Sequence, residues 1–259
     1  MNLVITFLLA VLGLFAAMLA LMEMGWRIGV YRKKRDAKGA HSGLGAIEGA
    51  VYGLMGLLVA FTFSGAASRF DARRELIGHE TNDIGTAYLR VDLLPPDLQP
   101  AIREDFRNYV DARLGYYRNV GSDEAAAKTE SDKATALQGK IWSESVAACQ
   151  KASVPSTTSL VLSSINSMID VTTTRAVAFE THPPAVVFWG MGILVLASAL
   201  LAGYSLAEAQ TRSLVHMFVY SAIFAIAVYV IIDLEFPRVG LIRIDSADHF
   251  LVDLRNNMR

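Results

Sequence analysis

Gly49-Ala-Val-Tyr-Gly-Leu-Met-Gly-Leu-Leu-Val-Ala-Phe-Thr-Phe-Ser-Gly-Ala-Ala-Ser68 holds no charged residue over the length that a helix needs to cross a bilayer. At about 1.5 Å rise per residue, roughly 20 apolar residues cover the ~30 Å of hydrocarbon, and only a segment that satisfies its own backbone groups can remain there. Three further runs have the same character: Leu3–Leu21, Ala185–Leu206 and Leu214–Ile232. They make two pairs at the ends of the chain, with the polar stretch Arg69–Pro184 between them. The reading is an all-α membrane protein with four transmembrane helices in two pairs and a helical extramembrane domain between spans 2 and 3. Its parts are 1–68 (spans 1 and 2, joined by a basic loop at 26–43), 69–184 (the helical domain), 185–233 (spans 3 and 4) and 234–259 (a tail on the same side as the domain).

Composition agrees. The chain is 53% hydrophobic over 259 residues. Its one cysteine, Cys149, excludes an intramolecular disulfide and cannot build a zinc or iron–sulfur site alone. The central segment carries 13 basic and 16 acidic residues, so no basic face invites nucleic acid. The first run makes a poor secretory signal: no Lys or Arg precedes it, whereas Arg27, Arg32, Lys33, Lys34, Arg35 and Lys38 follow it, opposed only by Asp36. Short basic loops stay in the cytoplasm, which puts the N-terminus, the helical domain and the tail outside it. Arg69, Arg73, Arg74, Arg238 and Arg243 pull the other way, but the first three open a long domain whose charge has little weight in orientation. The expected location is the cell (inner) membrane, multi-pass.

Within the second span Gly45, Gly49, Gly53, Gly56 and Ala60 recur at three- and four-residue spacing, followed by Ser64 and Ala67, and so fall on one helix face. Small residues let helix backbones approach closely in lipid. The partner is either an identical helix in a ring of subunits or a neighbour in the same bundle. The opposite, bulkier side carries Val51, Met55, Leu58 and Thr62, flanked by Leu54 and Phe61. Between Gly65 and Pro95–Pro96 nothing but Gly78 and Gly85 interrupts the helix, each at a cost of only about 1 kcal/mol relative to Ala, so one rod is expected from about Leu44 to Leu93. Beyond Pro95–Pro96, a helix capped near Asp97 carries Ile102, Phe106, Tyr109, Val110, Arg113 and Leu114 on one face. Another follows Gly121–Asp123 with Ala134, Leu137, Ile141, Ser145 and Ala148. A third opens at Pro155 with Val161, Ile165, Met168, Thr172, Ala176 and Phe179, before Pro183–Pro184 turns the chain into span 3.

Three stretches carry a resemblance. They are Phe61-Thr-Phe-Ser-Gly-Ala-Ala-Ser-Arg-Phe-Asp-Ala-Arg-Arg-Glu75, Tyr88-Leu-Arg-Val-Asp-Leu-Leu-Pro95 and Asp233-Leu-Glu-Phe-Pro-Arg-Val-Gly-Leu-Ile-Arg243. Together they resemble the bestrophin-like family of bacterial membrane proteins, itself distantly similar to the bestrophin anion channels. In true bestrophins a small residue, an aromatic, Asp and then Arg follow the second span, and Ser68, Phe70, Asp71, Arg73 and Arg74 look like that run. The resemblance implies four membrane helices, a homo-oligomer of five copies, and span 2 lining a pore for anions. No acidic cluster matches the calcium clasp of animal bestrophins, and those proteins keep their helical domain in the cytosol.

Chemistry for an enzyme is scarce. His79 and Asp83 share a helix face while Glu80 points about 100° from His79, so one helix offers at most two metal ligands there, and a solvated or salt-bridged face is the plainer expectation. Glu48 lies at the end of span 2, where a carboxylate reads as interfacial or functional. His216 in span 4 reads as a packing residue. No phosphate loop or Ser/His/Asp set stands out, and no cofactor or metal is implied. The leading reading is an oligomeric anion channel, with Leu54, Leu58, Phe61 and Thr62 lining the pore and Arg69, Arg73 and Arg74 at its mouth. The alternative is a non-conducting membrane protein whose helical domain binds a partner or senses a signal. The expected partners are the lipid bilayer, further copies of the chain and anions, and the chain is expected to be no enzyme.

Overall fold

The structure is a computed structural model that describes residues 3–35, 44–207 and 213–258. Asp36 and Lys38 of the basic loop lie outside the described residues. Those described are helical: α1 (Leu3–Arg35), α2 (Leu44–Arg90), α3 (Gln99–Asn119), α4 (Glu124–Ala152), α5 (Pro155–Glu180), α6 (Ala185–Leu206), α7 (Leu214–Glu235) and α8 (His249–Asn257). Four of the helical stretches are long and apolar enough to cross a membrane. The chain groups into two compact units, one of Met1–Ser68 with His182–Phe236 and one of Arg69–Thr181 with Pro237–Arg259. α2 contributes to both. It passes Gly78 and Gly85 unbroken and tightens into a 3-10 turn at Val91–Leu93 before the prolines.

The first unit is built around α1 and α6. A Cβ at Gly25 would collide with the Leu200 carbonyl, and one at Gly203 with the backbone of Met22, so the two helices touch backbone to backbone. In lipid, where apolar side chains gain little from leaving one apolar medium for another, such close packing is a main source of helix association. The buried interior holds Met18, Met22, Met55, Met191, Val195 and Ala199. Its hydroxyls are spent internally: Ser198 donates to the Val195 carbonyl at 2.8 Å and lies 2.9 Å from Met55 Sδ, while Tyr220 donates to Ser198 at 2.9 Å. Each bond removes a cost that hydrocarbon would otherwise impose on an unpaired polar group.

In the second unit, Ile84, Ala87, Tyr88 and Val91 from α2 meet Phe106, Tyr109 and Val110 from α3, Ile141 from α4, and Ile165 and Met168 from α5. The linkers follow from local chemistry. Gly121 takes φ +84, a left-handed conformation that costs glycine nothing, and Asp123 then caps α4 by accepting from Ala125 N at 3.1 Å and Ala126 N at 3.0 Å. Pro155 stands in the first turn of α5, where its missing N–H is not needed. Asp97 does not cap α3, which begins at Gln99 after Leu98; the Asp97 carboxylate instead accepts from Lys151 at 2.5 Å. The tail folds too. After a 3-10 turn at Asp245–Asp248, α8 buries Leu251 completely, and Arg255 holds Asp111 of α3 through both carboxylate oxygens at 2.8 Å.

Candidate functional site

On α2 the first unit covers one stripe of the span. Met55, Thr62 and Ala66 are buried, and the Thr62 hydroxyl donates back to the Leu58 carbonyl at 2.7 Å. Thr62 therefore faces its own subunit and leaves the group of residues that could line an opening. Leu58 is half-buried, whereas Leu54 and Phe61 are 53% and 68% exposed. The glycine face is open: a Cβ at Gly45, Gly49, Gly53 or Gly56 would meet nothing within 4 Å, and Ala60 is exposed. Among the described residues, nothing of the subunit's own bundle packs on that face. The close approach that small residues permit is made elsewhere, by Gly25 and Gly203.

Glu48 is half-buried and accepts from Ser205 at 2.5 Å. With Tyr52, Tyr220 and His216 it lines a cavity of about 670 Å³ among α2, α6 and α7. His216 is exposed rather than packed, with its ring nitrogen 2.5 Å from the Ser213 hydroxyl.

The three arginines after the span have different fates. Arg74 is exposed and Arg69 half-buried. Arg73 is only 4% exposed, and its guanidinium donates to the carbonyls of Ala178 at 2.9 Å and Thr181 at 2.8 Å. Those carbonyls belong to the end of α5, where a helix has no N–H of its own left to offer them. Arg73 is therefore a helix cap and not a residue of an open rim.

Nor do His79, Glu80 and Asp83 form one group. His79 is exposed and sits 3.6 Å from Glu75, while Glu80 is wholly buried. Arg113 Nε donates to Glu80 Oε1 at 2.7 Å, Tyr117 donates to Oε2 at 2.9 Å, and Arg175 Nη1 also donates to Oε2. Arg113 reaches the Tyr117 hydroxyl as well, and Arg175 lies over the Tyr117 ring at 4.1 Å. Burial works to raise the Glu80 carboxyl, but the two guanidiniums outweigh it and hold it below the ordinary carboxylate range. Burial also pushes the Tyr117 phenol well above its usual value, so it stays a donor. Arg238 stands 5.0 Å from the same ring and is held by Asp245 at 2.9 Å and by both oxygens of Asp248.

Sequence reading left this cluster unassembled. The available signal was an arginine on an apolar stripe: Arg113 follows Phe106 and Tyr109 at helical spacing, and Arg175 follows Met168 by two turns. A buried charge requires a partner, and Glu80, one turn from Ile77 and Ile84, is that partner.

No curated protein shows significant similarity to the chain. Among solved structures, two single-substitution variants of a bacterial bestrophin homologue from Klebsiella pneumoniae share the fold at 15% identity. Their TM-scores are 0.65 and 0.67, and the matches cover 93% and 96% of this chain and 98% and 99% of theirs. A crystal structure described only as a membrane protein matches at 14% identity and TM-score 0.64, over 93% of this chain and 98% of its own. The family model for the Bestrophin-like domain matches residues 31–248, which takes in the second span, the buried Glu80 cluster and the fourth span, and the chain thus belongs to the Bestrophin-like family.

Proposed function

We propose that the protein is an oligomeric anion channel, five copies arranged with their second spans around a common axis. The observation that supports this reading best is the uncovered side of α2. Its subunit leaves Gly49, Gly53, Leu54, Ala60 and Phe61 open, with small residues on one flank and bulky ones on the other. Neighbouring copies would close on the small flank, and Leu54, Leu58 and Phe61 would form an apolar constriction that gates by dewetting. Arg74, with the half-buried Arg69, would give the entrance a positive potential. Arg73 and Thr62 are left out of the pathway because both are committed to their own subunit. Membership in the Bestrophin-like family agrees with this reading.

The test is single-channel recording of the purified oligomer in planar bilayers. Leu58→Ser with Phe61→Ser should raise conductance by wetting the narrowest region, and Arg74→Glu should move the reversal potential away from anion selectivity. Folded, oligomeric protein that carries no current in any form would defeat the channel reading and leave a membrane protein that works through its helical domain.

A further inference from the structure

The second unit encloses a cavity of about 370 Å³ between α2, α3, α4, α5 and the tail. That size suits a small organic molecule, at the lower end of ordinary ligand pockets. Its polar wall includes Arg73, Arg113, Arg175 and Arg238, of which Arg73 is held by the carbonyls of Ala178 and Thr181, and no Asp or Glu is among the described residues that line it.

The charge balance behind that wall is uneven. Asp245 and Asp248 face Arg238, and Arg243 also bonds Asp245, so those four groups neutralise one another. Arg113 and Arg175, in contrast, share the single carboxylate of Glu80. Both guanidiniums are nearly removed from solvent, with side chains 9% exposed. That pair therefore keeps one positive charge beyond what Glu80 supplies, in a desolvated setting where an unmatched charge is expensive. Arg175 is also underused: among the described residues its one hydrogen bond is to Glu80, and a guanidinium has five N–H donors.

The remaining wall says what kind of anion fits. Leu76, Ile169 and Phe179 offer an apolar surface, and the hydroxyls of Ser131 and Thr135 lie on the α4 side. We propose that this cavity is a binding site for a small organic monocarboxylate, its carboxylate on Arg175 and its hydrocarbon or aromatic body against Leu76, Ile169 and Phe179. A single negative charge matches the one that Glu80 leaves over on Arg113 and Arg175. A phosphate would leave the apolar wall of Leu76, Ile169 and Phe179 without a partner. The site lies wholly within the helical unit and does not depend on whether the protein conducts.

The test uses full-length protein in nanodiscs and a ¹⁹F NMR titration of 4-fluorobenzoate, followed by displacement with butyrate and with inorganic phosphate. Saturable binding of one 4-fluorobenzoate per subunit is expected, with butyrate displacing it and phosphate doing so poorly. Arg175→Gln should weaken binding by about tenfold to a hundredfold, the usual effect of losing charged hydrogen bonds. Glu80 keeps Arg113 and Tyr117 in that variant, so the unit should remain folded. Thr135→Trp places a bulky ring at an exposed position of the wall, touches none of the charged groups, and should abolish binding. The proposal is overturned by an absence of saturable binding at about 10 mM, where even a site of roughly millimolar affinity would be filled. It is equally overturned if both folded variants bind like the unsubstituted protein, or if phosphate binds more tightly than 4-fluorobenzoate.

Discussion

Arg113 and Arg175, from two different helices, hold opposite oxygens of one carboxylate, that of Glu80. Glu80→Gln would leave two buried guanidiniums facing each other without a counter-charge. The expected cost is about 3–5 kcal/mol, the range seen when one member of a buried ion pair is removed. Chemical denaturation of the helical unit, followed by tryptophan fluorescence from Trp142, reports it. The double variant Glu80→Gln with Arg175→Gln should lose clearly less than the sum of the two single effects, because the residues act as one group. The pH dependence follows from the same contacts. A carboxyl held below its unfolded value contributes stability above that value and loses it as pH falls through the folded one. The unsubstituted unit should weaken below about pH 4, whereas Glu80→Gln should be weaker already at neutral pH and show a flatter acid limb.

Two glycine substitutions should behave in opposite ways. Gly25→Leu inserts a side chain where the Leu200 carbonyl already stands, so the fold of the subunit itself should fail, seen as loss of extractable, monodisperse protein. Gly53→Leu meets open space within the subunit and should leave its fold intact. If copies pack on that face, overpacking of about 1–3 kcal/mol per subunit should dissociate the oligomer into folded protomers on native electrophoresis. A stable Gly53→Leu oligomer would mean that this face looks towards lipid.

Arg73 and Arg74 separate structure from conduction. Arg73→Gln removes the donors of two α5 carbonyls and should cost the helical unit about 1–2 kcal/mol with ion selectivity unchanged. Arg74→Gln should leave the melting profile as it is and reduce the preference for anions over cations.

Orientation yields to labelling, because the single native thiol, Cys149, is buried and gives little background. Cysteines introduced at the exposed positions Lys128 and Asn257 should react together with an impermeant maleimide in intact cells. Reaction of both only after lysis would place the helical unit and the tail in the cytoplasm. Reaction at one position alone would contradict four crossings.

The bilayer-spanning runs were legible because a stretch without charges has few soluble explanations, and the amphipathic stripes of α3, α4 and α5 followed from helical spacing. Other features lay beyond a single-helix view. Gly49 and Gly53 carried the conspicuous small-residue pattern, yet the tight helix contact is made by Gly25 and Gly203, each surrounded by bulkier residues. Which small residue meets a neighbour depends on pairing, and periodicity does not encode pairing. Glu80 belongs to a stretch whose sequence suggests a solvated or salt-bridged face, and which charges pair with it is hidden because its partners stand 33 and 95 positions away. The nine-residue α8 was unreadable for a different reason. A helix that short is not stable alone, and it exists by placing Leu251 in the core and Arg255 on Asp111.

The seam between Gly25 and Gly203 also imposes an order on synthesis. Its two halves are separated by the whole of the second span and most of the helical unit. At roughly 5–20 residues per second, α6 leaves the ribosome roughly 10–35 s after the part of α1 that it will grip. During that interval α1 has no partner to lock it in place and stays in the bilayer by its own apolar surface, with Arg32, Lys33, Lys34 and Arg35 anchoring its end. The tightest contact of the membrane unit is therefore made late, and a nascent chain that stalls before Gly203 leaves its first span inserted but without that seam.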